Sequence, residues 1–358
     1  MLLILFFILA SVGYTAWRIW MILPVSPLWK GILTGLHIFC FLLIFIHFAL
    51  ERWTPVPLSA ATYILGTSWL IFFLYALLIF VLLDLGSLLH ILPSGFLKDS
   101  PAGTFTVLGV IAVLLTYGGI HYHHKYREEI EIATEKPLDR PLTVILASDI
   151  HVGYHNRTTE LERWIRLINA EHPDLVLLAG DILDGAIRPA EHWRYDKAFR
   201  QLEAPVYASL GNHEYITGID TSLAFYDKAG IRLLRDSSVT AEGIRIIGRD
   251  DRTNRNRKPL NALTVNDSLF TILLDHQPYH LEEAEACGID FQFSGHTHHG
   301  QIWPGNWVTD MMYEKAYGPH QRGATRYYIT SGLGIWGGKF RIGTRSEYVV
   351  LKITPSEP

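Results

Sequence analysis

Four apolar runs crowd the first 122 residues of this chain, and they limit what it can fold into more than any other feature. The first, residues 2 to about 23, carries one charge, Arg18, and is long enough to cross roughly 30 Å of hydrocarbon at 1.5 Å per residue. Residues 32–50, 61–83 and 105–120 follow, each nearly uncharged, joined by short connections rich in Pro, Gly and Trp. A cleaved secretory signal opens on basic residues and ends at a small-residue site, whereas this run opens on leucine and continues into tryptophan. An uncleaved anchor is therefore expected. Arg18, Trp20, Trp29 and Trp53 fall near the ends of the runs, where interfacial aromatics and snorkelling cations sit.

Four spans put both termini on one side of a cell membrane. The balance of flanking cations, tipped by Lys136 and Arg140, favours a multi-pass protein with a cytoplasmic carboxyl-terminal domain. His37, His47 and Asp84 lie in or beside spans and count as candidates because intramembrane ionisable groups tend to be functional. The expected organisation is a transmembrane region over 1–122, a juxtamembrane linker over 123–140, and a soluble domain over 141–358. His121, His123 and His124 imitate a metal cluster but read as interfacial residues. "EIEIAT" alternates with period two, so strand structure can begin near Glu129. Net charge of -4 and pI near 6.5 offer no polyanion-coating surface, so no nucleic-acid partner is expected. Cys40 and Cys287 are too few and too far apart for a disulfide framework.

Beyond residue 140, short β-branched and leucine-rich runs end abruptly at residues able to bind metals. "LTVILASDIHVG" ends at Asp149 and His151, "PDLVLLAGDILDG" at Asp181 and Asp184, and "APVYASLGNHEY" at Asn212, His213 and Glu214. "FTILLDHQP" ends at His276, and "IDFQFSGHTHHGQ" at His296, His298 and His299. Between the first two runs, Leu161, Trp164, Ile165, Leu167 and Ile168 recur at helical spacing. Strands alternating with helices imply crossover units, and such sheets bind ligands at the carboxyl ends of their strands. All five polar clusters would then share one rim. Mixed carboxylate, imidazole and amide donors suit manganese, iron or zinc. Two such ions about 3.5–4 Å apart can hold a phosphate and acidify a water.

Taken together, D-x-H, G-D-x-x-D, G-N-H-E, a lone His and G-H-x-H resemble the calcineurin-like metallophosphoesterases, over about residues 141–352. The resemblance implies an α/β fold, a two-sheet β-sandwich flanked by helices, here preceded by the all-α four-helix transmembrane region. It implies two divalent or trivalent ions: Asp149, His151 and His298 hold one, Asn212, His276 and His296 the other, and Asp181 bridges them. His213 looks like the family's substrate-facing histidine, able to protonate a leaving group. Glu214 could orient His213, and Asp184 could lie behind the ligands and fix their rings. Gly180, Gly211 and Gly295 suit tight strand ends or close backbone approach.

"GHTHHGQIWP" and the later "SGLGIWGG" are similar to the membrane-associated bacterial branch that includes YkuE and YaeI, with His299 where glycine is frequent. His299 is left between an additional phosphate contact and an exposed ring. Arg249, Arg252, Arg255, Arg257 and Lys258 form either a phosphate or lipid-headgroup clamp or a solvated loop. Arg341 and Arg345 are weaker candidates for the same task. Trp303, Trp307, Trp336 and Phe340 are read as core, with an apolar approach to the site as the other option.

The functional expectation is a membrane-anchored hydrolase of a phosphomonoester, phosphodiester or pyrophosphate bond, for which an amphiphilic, lipid-linked substrate is attractive. A membrane-bound sensor that keeps the fold without turnover is the alternative, and the complete ligand set speaks against it.

Overall fold

A computed structural model of the protein describes residues 2–93, 95–265 and 267–356. The chain divides into two compact units. The first comprises residues 1–120 with Gly337–Lys339. It is built on α1 (Leu2–Ile22), α2 (Pro27–Leu50), α3 (Val56–Leu88) and α4 (Pro101–His123), which runs into the start of the second unit. All four helices are long and apolar enough to cross a membrane. α3 has 33 residues and outruns the expected 61–83 at both ends, beginning at a proline-bearing first turn that pre-sets helical φ. The ionisable candidates here have internal partners. Asp84 accepts the Tyr14 hydroxyl at 2.5 Å and pairs with Arg18, joining α1 to α3. His37 meets the Thr15 hydroxyl at 3.2 Å and the Trp69 indole at 3.3 Å, and His47 lies 3.4 Å from Glu51.

The second unit, His121–Trp336 and Phe340–Pro358, holds the sheets. One contains β1 (Lys125–Thr134), β2 (Leu142–Ala147), β3 (Leu175–Ala179), β4 (Val206–Ser209), β5 (Arg232–Leu233) and β12 (Ser346–Pro355). Its order is β1-β12-β2-β3-β4-β5, parallel from β2 to β5, with β12 antiparallel to β2. The other contains β6 (Ser237–Ala241), β7 (Ile244–Gly248), β8 (Thr271–Leu274), β9 (Phe291–Ser294), β10 (Gly318–Arg322) and β11 (Thr325–Ile329). Its order is β10-β11-β9-β8-β7-β6, with parallel inner strands and an antiparallel pair at each edge. Helices α5 (Thr158–Asn169), α6 (Ile187–His192), α7 (Tyr195–Phe199), α8 (Asn212–Thr217), α9 (Ile219–Ala229), α10 (Leu281–Ala286) and α11 (Gly305–Met312) complete it.

The alternation of side chains along each strand explains the layers. Val144, Leu146, Leu175 and Leu177 meet Ile244, Ile246, Ile272 and Phe293 between the sheets. Ile145, Ala147, Val176 and Leu178 face the opposite way, against Leu161, Trp164, Ile165 and Ile168 of α5. Ile247, Leu273, Tyr327 and Ile329 pack on α10 through Leu281 and Ala284. Strands covered on both faces must be apolar on both, so they read in sequence as continuous runs. The stretch expected as a linker, 123–140, carries β1, which pairs with β12 in register from Lys125↔Ser346 to Thr134↔Pro355.

Candidate metal centre

Each polar cluster sits where its strand stops. Asp149 and His151 follow β2, Asp181 and Asp184 follow β3, Asn212 opens α8 after β4, His276 follows β8, and His296 and His298 follow β9. The chain bends sharply there. Asp149, His151, Asp181, His296 and His298 all have positive φ, between 47° and 71°. Left-handed backbone in non-glycine residues is strained and concentrates where surrounding structure enforces a functional geometry. Gly180, at φ 77°, lets its backbone lie against Gly211; a Cβ there would come within 2.5 Å of the Gly211 nitrogen. At Gly295 a Cβ would strike the Asp149 carboxylate and the Ser148 hydroxyl.

These bends bring the eight residues singled out from sequence together. His298 Nε2 lies 3.2 Å from Asp149 Oδ1 and 3.1 Å from His151 Nε2. His276 Nε2 lies 3.1 Å from Asp181 Oδ2, and His296 Nδ1 lies 2.8 Å from Asn212 Oδ1. Asp181 Oδ2 is also 3.6 Å from His151 Nε2, so one carboxylate stands between the two groups. Asp149, His151 and His298 form one cluster that could hold a metal ion, and Asp181, His276 and His296 another. His213 donates its backbone N–H to Asp181 Oδ1 at 2.8 Å and its ring lies against His151, 4.5 Å between centroids.

Groups behind the centre set ring orientation. His276 Nδ1 is 2.7 Å from the Ala179 carbonyl; a carbonyl only accepts, so Nδ1 carries the proton and Nε2 faces the centre. His151 Nδ1 is 3.2 Å from Asp184 Oδ1, which orients that ring in the same sense. Asp184 also meets His155 Nδ1 at 3.2 Å and His213 Nδ1 at 3.8 Å. Glu214 does not orient His213. Its carboxylate accepts the backbone N–H groups of Asp181, Ile182, Leu183 and Gly211 at 2.7–3.1 Å, tying the β3 and β4 loops together.

Sequence reasoning misses two contributors, His155 and Asn156, and gives a third, Arg341, another role. His155 is buried on Asp184, and Asn156 donates to the His151 carbonyl at 3.0 Å. Arg341, fully buried, donates to the carbonyls of His298 and Gly334 at 2.9 Å and to that of Ser331. It is a scaffold for the His298 loop. Only the nearness of His155 and Asn156 to the D-x-H motif hinted at them. Arg341, expected after the glycine-rich stretch as a weaker clamp for an anion, is instead spent on backbone carbonyls.

The tryptophans correct a second reading. Trp303, Trp307 and Trp336 are 39 %, 58 % and 54 % exposed, so they are not core. With Val308, Met311 and Met312 they leave an apolar surface on and beside α11, directly after the G-H-x-H loop. His299 is stacked on Tyr317, centroids 4.7 Å apart at 14°, with Nε2 3.4 Å from Asp310.

The donor set fits cations. Among the described residues, the buried carboxylates of Asp149 and Asp181 meet only imidazoles and backbone N–H groups, and the buried His276 Nε2 makes no hydrogen bond. Buried charge of that kind calls for a compensating cation. Without one, burial opposes ionisation of Asp149, Asp181 and Asp184, but imidazoles overcome it and hold all three below the usual carboxylate range. His298 and His151 act on Asp149, His276 on Asp181, and His151 with His155 on Asp184. Burial pulls His296 and His298 down to about 4. Against burial, Asp149 and Asp184 raise His151 to about 10, and Asp181 raises His276.

These shifts set an acid limit on the metal-stripped protein. Unfolded histidines titrate near 6.5, so between that value and about 4 the unfolded chain binds protons that His296 and His298 in the fold refuse. Stability contributed by the three aspartates is lost only at still lower pH, and that of His151 and His276 is lost on the alkaline side. The unfolding temperature of chelated protein should therefore drop steadily as pH falls from about 6.5 to about 4. A flat thermal profile across that window would contradict the arrangement.

Residues 142–300 match the family model described as calcineurin-like phosphoesterase. The chain is 30 % identical over 255 residues to an uncharacterized metallophosphoesterase of Campylobacter jejuni, covering 68 % of each chain. It is 30 % identical over 264 residues to the uncharacterized metallophosphoesterase YkuE of Bacillus subtilis, covering 67 % of this chain and 91 % of that one. It is 30 % identical over 281 residues to a transmembrane protein with metallophosphoesterase domain from Danio rerio, covering 70 % and 64 % respectively. Two sheets with a histidine and carboxylate centre at their strand ends define a phosphoric ester hydrolase fold. This chain belongs to the calcineurin-like metallophosphoesterase family.

Proposed function

We propose that the chain is a membrane-anchored phosphohydrolase that cleaves a phosphomonoester, phosphodiester or pyrophosphate bond using two metal ions. The observation that carries this reading is the position of Asp181, whose Oδ2 lies 3.1 Å from His276 and 3.6 Å from His151. Asp149, His151 and His298 would hold one ion, Asn212, His276 and His296 the other, and Asp181 both; manganese, iron and zinc all suit these donors. Such ions, when bound, supply positive charge to phosphoryl oxygens and acidify the attacking water.

The chain's own residues do the rest. Asp184 and Ala179 fix the His151 and His276 rings. His213 faces the substrate, contacts a phosphoryl oxygen and passes a proton to the departing group, with Asp184 behind its Nδ1. The apolar surface of α11 supports an amphiphilic phosphoester, and the four apolar helices support a bilayer setting; the flanking cation count favours a cytoplasmic catalytic unit.

The test is hydrolysis of 4-nitrophenyl phosphate and its bis-ester by the full chain with manganese added. Metal-dependent release of nitrophenol supports a hydrolase. Stoichiometric metal uptake with no turnover of these or lipid-linked esters would leave a metal-binding sensor instead. His213→Gln should retain its metal content and lower kcat by about 10²-fold, as loss of a proton-transfer group does. Equal loss of metal and of kcat would assign His213 to the ligand set.

A further inference from the structure

The five cations of the loop after β7 have different fates. Arg249 is buried and pairs with Asp275 at 3.2 Å and Glu283 at 2.5 Å, and Arg257 also reaches Asp275 at 3.2 Å. Lys258 bonds the Asp236 carbonyl. These three hold the loop and are not a clamp. Arg255 is exposed. Arg252 is placed differently: its guanidinium lies over the Tyr279 ring, 4.0 Å from the centroid.

Tyr279 leads on to the metal centre. Its ring lies 4.8 Å from that of Tyr313, the residue that closes α11, and its hydroxyl donates to the Tyr313 hydroxyl at 3.2 Å. The Tyr313 ring is in turn 6.3 Å from His296. Tyr279 and Tyr313 thus connect Arg252 to His296 at one edge of the centre. The neighbouring acids are engaged elsewhere: Asp250 accepts from Tyr215 and Arg235, and Asp251 from Gln277 and Thr253.

The chemistry of these groups is specific. Among the described residues the Arg252 guanidinium, which lies over an aromatic ring, makes no hydrogen bond, so its N–H groups are available to grip an oxyanion with two parallel hydrogen bonds. The Tyr279 and Tyr313 hydroxyls share one hydrogen bond, so one phenolic proton of the pair is left over, and among the described residues nothing accepts it. Two donors of this kind beside a phosphate-processing centre suit an anion. We propose that Arg252 and Tyr313 form a subsite for a second anionic group of the substrate, separate from the reacting phosphate. This inference rests on the hydrolase reading and narrows its substrate class to phosphoesters bearing two anionic groups.

The experiment uses the full chain, manganese-loaded, and α,ω-alkane bisphosphates of graded length beside matching alkyl monophosphates. Wild-type protein should prefer one length, with kcat/KM about tenfold above the monophosphate, the equivalent of one charge-assisted contact. Arg252→Ala should collapse that ratio to near one, Tyr313→Phe should lower it partly, and Arg255→Ala should leave it intact. A second readout needs no turnover: phenylglyoxal labelling of Arg252, located by mass spectrometry, should be blocked by an α,ω-alkane bisphosphonate and not by an alkylphosphonate. Unprotected Arg252, or a ratio that Arg252→Ala and Arg255→Ala lower equally, overturns the subsite. Protection without hydrolysis of any ester overturns the hydrolase reading and leaves the anion subsite standing.

Discussion

Asp181→Asn should lower metal-dependent turnover by roughly three orders of magnitude, beyond the 10–100-fold expected when an outer partner of a ligand is changed. One carboxylate oxygen stands 3.1 Å from His276 Nε2 and 3.6 Å from His151 Nε2, and the other accepts the His213 backbone N–H at 2.8 Å. The amide is close in shape but carries no charge, and one of its two positions becomes a donor that cannot serve a cation. Both proposed ions would lose their shared anion at once. Metal analysis of purified protein should show less than the wild-type complement, and the remaining metal should leave readily on dialysis. The fold should survive, because the substitution keeps the side-chain volume and the backbone bond. A folded Asp181→Asn protein with full metal content and near-normal turnover would remove Asp181 from its shared position.

What could be read from sequence follows a physical rule. Strands buried on both faces are continuous apolar runs, and each run here ends at the residue where the chain leaves the sheet, so the position of Asp149, Asp181, Asn212, His276 and His296 on one rim was legible. The helical spacing of Leu161, Trp164, Ile165 and Ile168 likewise named the face that α5 buries. Partners across the fold were not legible. Arg341 reaches His298 from 43 positions away, and its neighbourhood suggests an anion clamp rather than a buried donor to backbone carbonyls. Trp307 reads from sequence as core, but α11 turns it outward. The part played by β1 was half visible: its alternation was plain, but its parallel pairing with β12 joins segments over 200 positions apart.

Glu214 separates local inference from tertiary fact most sharply, because adjacency to His213 suggested the wrong partner. Its carboxylate is fully buried and surrounded by four backbone donors, two to each oxygen. Burial and the charge of Asp181 push its pKa up, while the Gly211 and Leu183 N–H groups favour the ionised form. Glu214→Ala would leave all four donors without their acceptor, at about 1–3 kcal/mol for each one that water cannot reach, so a loss of about 4 kcal/mol in unfolding free energy is expected. Glu214→Gln should lose about half as much, about 2 kcal/mol, since its amide oxygen still serves two of the N–H donors while its nitrogen faces the other two. Denaturant titration of chelated protein measures this without interference from bound metal. If Glu214 acted instead by holding the His213 ring, both variants would keep wild-type stability and lose only kcat. Retained stability would therefore reject its role as the clamp between the β3 and β4 loops, and with it the reason Asp181 and Asn212 meet at one centre.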